Sequence, residues 1–80
     1  MRHHPGYARL ETLTRRGRDL LGSEVAILAG AMTWVSERHL VAAISNAGGF
    51  GVLACGSMGP DLLAAEIEGT RALTDRPFGV

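Results

Sequence analysis

The sequence predicts an α/β protein built on a parallel sheet, and three observations carry that prediction. Two short apolar runs, Val25 to Ala29 and Phe50 to Cys55, contain no charge and read as strands buried on both faces. The segments at 36–47 and 60–74 have the apolar spacing of amphipathic helices. Strand starts recur about 25 residues apart, at Val25, Phe50 and Phe78, which is the repeat of successive βα units joined by right-handed crossovers.

The chain opens on a helical lead-in over residues 1–24. Its segment ARLETLTRRGRDLL, residues 8–21, sets Leu10, Leu13, Leu20 and Leu21 among charges at helical spacing, with an interruption expected at Gly17. Five of the eight arginines (Arg2, Arg9, Arg15, Arg16 and Arg18) fall here, and they read as a solvated helix face rather than a basic docking or transit segment. His3 and His4, beside Pro5 and Gly6, read as a frayed start rather than a metal pair.

Residues 25–80 follow as a βαβαβ succession. After the first strand, 25–29, Ser36 is the expected N-cap and Glu37 complements the helix dipole. Leu40, Val41, Ala43, Ile44 and Ala47 form the apolar stripe, and Gly48 stands where a helix end favours a left-handed residue. The second strand is expected over 50–54. Pro60 suits the first position of the next helix and Asp61 its positive end, and that helix carries Leu63, Ile67 and Leu73. TDRP then ends the helix, and Phe78, Gly79 and Val80 begin a third strand.

Composition narrows the function classes. At 80 residues the chain is one small domain at most, and 46% apolar with 20% charged residues describes a globular sequence rather than a disordered one. A formal net charge of zero gives no general attraction to nucleic acid or anionic lipid. One cysteine makes no internal disulfide, so the cytoplasm is the default compartment. No apolar run approaches the roughly 20 residues of a membrane helix, and no secretory signal is recognised.

The glycines point to where a site would lie. The pattern G-x-G-x-x-A occurs at Gly49, Gly51 and Ala54, but a dinucleotide fingerprint runs strand, glycines, helix, whereas Gly48 and Gly49 lie between a helix and the next strand. They read as a tight return turn. Gly56 and Gly59 instead follow a strand and precede a helix, and Gly30, Ala31 and Met32 hold the same place after the first strand. Parallel α/β folds place their sites on that rim, where small residues let a flat ligand approach the backbone. Ser57 there is read as a helix cap before a ligand donor, Cys55 as a small apolar residue, and His39 as a mid-helix surface or packing residue.

Residues 27–80, ILAGAMTWVSERHLVAAISNAGGFGVLACGSMGPDLLAAEIEGTRALTDRPFGV, resemble the N-terminal part of the FMN-dependent nitronate monooxygenase family, formerly called 2-nitropropane dioxygenases. The strongest parts are the Gly-x-Met turn after the first strand, AISNAGGFGVL and LTDRPFGV; the related FMN-dependent enoyl-acyl carrier protein reductases share them. The resemblance implies a parallel (β/α)8 TIM barrel, of which this chain holds about three strands, with FMN across the C-terminal strand ends. It assigns Gly30, Ala31 and Met32 to flavin contact through backbone atoms, and leaves Met32 and Trp34 to cover the ring system or to pack. Ala26 and Ala29 depart from the family pattern, where Pro and Gln are common.

The family's phosphate-binding glycine loops and histidine base lie beyond residue 80, so no catalytic residue and no metal ligand is assigned here, and His39 does not replace the base. The implied activity is oxidation of a nitronate with oxygen to a carbonyl compound and nitrite. The alternatives are reduction of an enoyl thioester, or a truncated non-catalytic structural fragment. The implied partners are a small-molecule substrate, no nucleic acid and no membrane, with a homo-oligomer left open. Three strands cannot close a barrel, so the 80-residue chain by itself is expected to expose sheet edges and to be inactive.

Overall fold

The computed structural model describes residues 4–80. The lead-in is two helices, α1 (Tyr7–Leu13) and α2 (Arg15–Leu21), with no buried residue in either. The break falls at Thr14 rather than at Gly17. Thr14 leaves helical geometry at φ −102° and ψ 7°, and its hydroxyl donates back to the Leu10 carbonyl at 2.8 Å. Gly17 lies inside α2, where an added Cβ would stand 3.1 Å from the Ala26 Cβ, so it serves a close contact and not a kink. His3 lies outside the described residues, and the exposed His4 accepts the Gly6 amide through Nδ1 at 2.9 Å.

Strands β1 (Leu28–Ala29) and β2 (Phe50–Gly51) are parallel, with Leu28 opposite Phe50 and Ala29 opposite Gly51. The Phe50 amide donates to the Ile27 carbonyl at 2.9 Å and the Val25 amide to Gly48 at 3.0 Å, extending the pairing toward the start of β1. On the other side of β2, Gly79 donates to Gly51 at 2.8 Å and Leu53 donates to Gly79 at 2.9 Å, a parallel bridge between Val52 and Gly79. The expected spatial order and the parallel sense hold. The regular strands are shorter than 25–29 and 50–54, and the third is a single bridge. Burial of β1 on both faces does not hold either, because Ile27 and Leu28 are 61% and 53% exposed. β1 is an edge, paired on one side only among the described residues.

Helix α3 (Arg38–Asn46) is capped by Glu37 and not by Ser36: one Glu37 carboxylate oxygen accepts from the His39 amide at 2.9 Å and the Leu40 amide at 3.1 Å. Gly48 closes the helix as expected, at φ 102°. Its amide donates to the Ser45 carbonyl and the Gly49 amide to the Ile44 carbonyl, both at 3.1 Å, the paired bonds of a left-handed helix end that turns straight into β2.

α3 then lies directly on β2. A Cβ at Gly51 would come within 2.7 Å of the Val41 carbonyl oxygen, and the Gly51 amide donates to the buried Ser45 hydroxyl at 3.2 Å. Val41, Ala42, Leu53 and Ala54 form the buried apolar core.

Helix α4 (Pro60–Leu73) starts with Pro60 behind Gly59, and no side chain caps it; Ser57 is exposed and plays no capping part. α3 and α4 are tied at two levels. Between the start of α3 and the middle of α4, the Arg38 guanidinium grips one Glu66 carboxylate oxygen at 2.8 and 3.2 Å, while the Arg38 amide donates to the other at 3.1 Å. Gly69 keeps the lane open, since a Cβ there would run into that guanidinium. At their ends, the Thr74 hydroxyl donates to Asn46 Oδ1 at 2.5 Å and Asn46 Nδ2 donates to the Leu73 carbonyl at 3.1 Å.

The hydrogen bonds from the Arg38 side chain, followed by that from its amide and its charge, hold the Glu66 carboxyl below its ordinary value of 4.5 against the effect of burial. A carboxyl lowered in the folded state binds fewer protons there than when unfolded. Its stabilisation is therefore complete above the ordinary value and is lost as pH falls through the folded one. Thermal unfolding followed from about pH 6 to about pH 3 should show this loss in the native chain, and Glu66→Gln should remove that part of the acid dependence.

Candidate functional site

Because β1 and β2 run in the same direction, the segments that leave them, 30–36 and 55–59, share one rim of the sheet. Gly30 and Ala31 are exposed there, and among the described residues no intrachain hydrogen bond reaches either amide. A Cβ on Gly30 would meet nothing within 4 Å, and its φ is one any residue adopts. The same is true of Gly56 and Gly59. These three differ in kind from Gly49, Gly51, Gly69 and Gly79, each closely approached by neighbouring atoms of the chain itself. The described residues themselves give no steric reason for glycine at these three rim positions.

Met32 behaves differently from its two neighbours. Its amide donates to the Ser36 hydroxyl at 2.9 Å, and its carbonyl accepts from the Val35 amide at 2.9 Å and the Ser36 amide at 2.8 Å. The donor of Met32 is therefore engaged within the turn, so that of the three residues Gly30, Ala31 and Met32 only the first two keep their amides open among the described residues. The Ser36 hydroxyl also reaches back 3.5 Å to the Gly30 carbonyl, and the Ser36 carbonyl accepts from the Ala54 amide at 3.2 Å. Ser36 is 4% exposed.

This closed turn holds Trp34 at φ 64° with its indole 74% exposed. A left-handed conformation for a bulky side chain costs about 1–3 kcal/mol and recurs at functional sites. Met32 is half exposed beside it, so neither residue packs inside this chain.

The remaining rim residues offer less chemistry. Cys55 is a half-buried free thiol whose carbonyl accepts the Met58 amide at 3.1 Å. His39 stands in the first turn of α3 and not mid-helix; it is exposed, with Nδ1 2.8 Å from a Glu37 carboxylate oxygen. Desolvation is the largest influence on Glu37 and raises its pKa, but the His39 ring and the His39 and Leu40 amides together hold it below the usual carboxylate range. An apolar groove of about 240 Å³, lined by Tyr7, Leu10, Val25, Ala26 and Ile27 among others, lies at the opposite end of β1 from the rim. Among the described residues no cluster of three or more His, Cys, Asp or Glu could hold a metal, and no helix is long and apolar enough to cross a membrane.

Residues 15–80 match the family described as nitronate monooxygenase. The chain belongs to that family. It is 46% identical over 61 residues to a nitronate monooxygenase of Paraburkholderia phytofirmans, covering 76% of this chain and 17% of the relative. A Mycobacterium tuberculosis protein, (3aS,4S,5R,7aS)-5-hydroxy-7a-methyl-1-oxo-octahydro-1H-indene-4-carboxyl-CoA dehydrogenase, is 47% identical over 62 residues, covering 78% of this chain and 18% of that one. The solved structure of FabK from Thermotoga maritima superposes with a TM-score of 0.79 at 48% identity, over 81% of this chain and 21% of FabK. The chain thus spans about a fifth of the length of these relatives.

The three residues expected at the flavin, Gly30, Ala31 and Met32, are consecutive on this rim. The sequence reading assigned Ser36 to the helix and missed its part in the loop; the available signal was a serine four residues after Met32, the reach of a closed turn.

Two outcomes follow for stability. Gly51→Ala should destabilise the fold by about 1–3 kcal/mol through overpacking against Val41, whereas Gly30→Ala should change it by less than about 0.5 kcal/mol, both read by denaturant unfolding. Trp34→Asn should raise the unfolding midpoint, because asparagine tolerates φ 64° and little indole burial is lost.

Proposed function

We propose that this chain is the N-terminal part of an FMN-dependent oxidoreductase of nitronate monooxygenase type. In this reading residues 25–80 supply the first βαβαβ units of a (β/α)8 TIM barrel, and residues 1–24 are a helical lead-in outside the repeat. The exposed β1 edge and the solvent-facing Ile27 and Leu28 support it, since both are surfaces that further strands of a barrel would cover.

The observation that carries the cofactor assignment is Gly30. It opens the segment after β1, has free space above its Cα, and stands beside Ala31 with unpaired amides. These features fit the edge of a flat, hydrogen-bonding ring system. Gly30 and Ala31 would hold FMN through backbone atoms, and the exposed Met32 side chain would lie against the ring. Bound there, FMN supplies the redox chemistry between a nitronate and oxygen that yields a carbonyl compound and nitrite. In this reading the described residues would orient the ring, and none of them is assigned a proton-transfer role.

The mycobacterial relative, named as a carboxyl-CoA dehydrogenase, favours a second reading in which the substrate is a thioester. An enoyl thioester reductase of the related group is that alternative. Turnover of a nitronate against an enoyl thioester by the whole protein separates the two. The 80-residue chain alone should turn over neither above a flavin-only control.

Gly30→Val tests the site. The fold tolerates a side chain at this position, so the variant should fold yet retain FMN more weakly by about 1–3 kcal/mol, the scale of overpacking a fitted site. Gly48→Val is the control: at φ 102° it should lower the folded yield without lowering FMN per folded molecule. A full complement of FMN in Gly30→Val would remove Gly30 from the site.

A further inference from the structure

The buried hydroxyl of Ser36 is the feature of the rim that neither the helix nor the core requires. Glu37 caps α3, so Ser36 is released from that task. It is nevertheless 4% exposed and makes its bonds in one direction, toward the segment that leaves β1. Its oxygen accepts the Met32 amide at 2.9 Å and its proton points along the 3.5 Å line to the Gly30 carbonyl. Its backbone takes part as well: the Ser36 amide donates to the Met32 carbonyl at 2.8 Å, and the Ser36 carbonyl accepts from Ala54 at the end of the second strand segment. One residue therefore links three places: the loop after β1, the start of α3 and the chain leaving β2.

Two further observations indicate that this linkage serves the loop's shape. The turn it closes keeps Trp34 at φ 64°, a conformation the chain would leave if the loop were free to relax. Side-chain packing does little to hold the loop, since Gly30, Ala31, Met32 and Val35 are all exposed; beside the Ser36 hydroxyl it is held by backbone bonds from Val35 and Ser36 to the Met32 carbonyl.

We propose that Ser36 is a positioning residue for the cofactor: its hydroxyl fixes the Met32 amide and thereby sets the backbone of Gly30 and Ala31 in the plane a flavin requires. This rests on the reading of that loop as the FMN contact. Ser36 does not touch the flavin. It acts by preorganising the loop, so its removal raises the ordering cost of binding and leaves the binding groups themselves intact.

The experiment compares Ser36→Ala, Ser36→Thr and Glu37→Ala in the whole protein, stripped of flavin and then titrated with FMN. Amide hydrogen exchange of the apo forms gives a readout independent of both flavin and activity. Ser36→Ala should lose protection at the Met32 amide while α3 amides keep theirs, and its FMN dissociation constant should rise on the order of tenfold, the scale of one lost hydrogen bond to a preorganised site. Ser36→Thr, which keeps the hydroxyl, should restore both. Glu37→Ala should loosen the first turn of α3 and leave FMN affinity within about twofold, because its carboxylate bonds only within that turn.

Unchanged Met32 protection in Ser36→Ala overturns the proposal at the level of the loop. Lost protection with unchanged FMN affinity overturns it at the level of the cofactor. Failure of the unsubstituted protein to bind FMN instead overturns the reading of the loop on which it rests. An equal loss in Glu37→Ala assigns the effect to general loosening of the helix and also defeats it.

Discussion

The contact on which this structure depends is the approach of α3 to β2 at Gly51. With 2.7 Å between a would-be Cβ and the Val41 carbonyl, the helix backbone rests on the strand backbone with no side chain between them. The buried Ser45 hydroxyl takes the Gly51 amide at the same place, so the contact is polar as well as steric. It is possible only because the chain leaves α3 through Gly48 in a left-handed turn and enters β2 two residues later. The sheet register, the burial of Val41 and the course of the rim all follow from that close placement. Once α3 is fixed over β2, its first residues are fixed too, and Ser36 and Glu37 meet the loop after β1 at a set distance.

The second helix is attached to the first by polar links rather than by a wide apolar seam. Arg38 at the start of α3 with Glu66 in the middle of α4, and Asn46 with Thr74 and Leu73 at the ends, keep the two helices side by side. Fully buried apolar side chains are few, and several large ones stand in solvent: Leu13, Leu20, Ile27 and Leu28 are each more than half exposed. Hydrophobic burial is not complete within these 80 residues, which is the energetic counterpart of spanning a fifth of the relatives' length. Directional bonds between successive βα units hold the local geometry where buried apolar area is small.

How far the sequence revealed this depends on the range of the interaction concerned. The parallel order, both crossover helices and the left-handed close at Gly48 were legible because they follow from apolar period and from one residue's conformational freedom. The identity of the caps was not, because Ser36 and Glu37 are both competent and the choice was made by the loop after β1, which claimed the serine hydroxyl. Gly17 was misread for a related reason. A glycine in a helical run signals a break when only the local chain is considered, yet here it admits Ala26 from another segment. His39 was placed mid-helix because the helix was started two residues early, at Ser36.

The candidate site shows the same division. That residues 30–36 and 55–59 share one rim was legible from the order strand, small residues, helix. Its internal organisation was not legible, because a run such as GAMTWVS does not display which amides will be engaged. The structure separates them: Met32 is bound into the turn, while Gly30 and Ala31 keep their amides open. Trp34 gives the physical meaning of that separation. A chain free to choose would not leave a tryptophan in left-handed backbone geometry with its ring in solvent, so the turn is held against a local preference. Strain of that kind persists only where surrounding bonds over-determine the conformation, and here those bonds run between Met32 and the end of the turn: the Met32 carbonyl takes the Val35 and Ser36 amides while the buried Ser36 hydroxyl takes the Met32 amide. The shape of this loop is thus set by bonds within the chain itself, with Ser36 and Met32 holding each other at both ends of the turn.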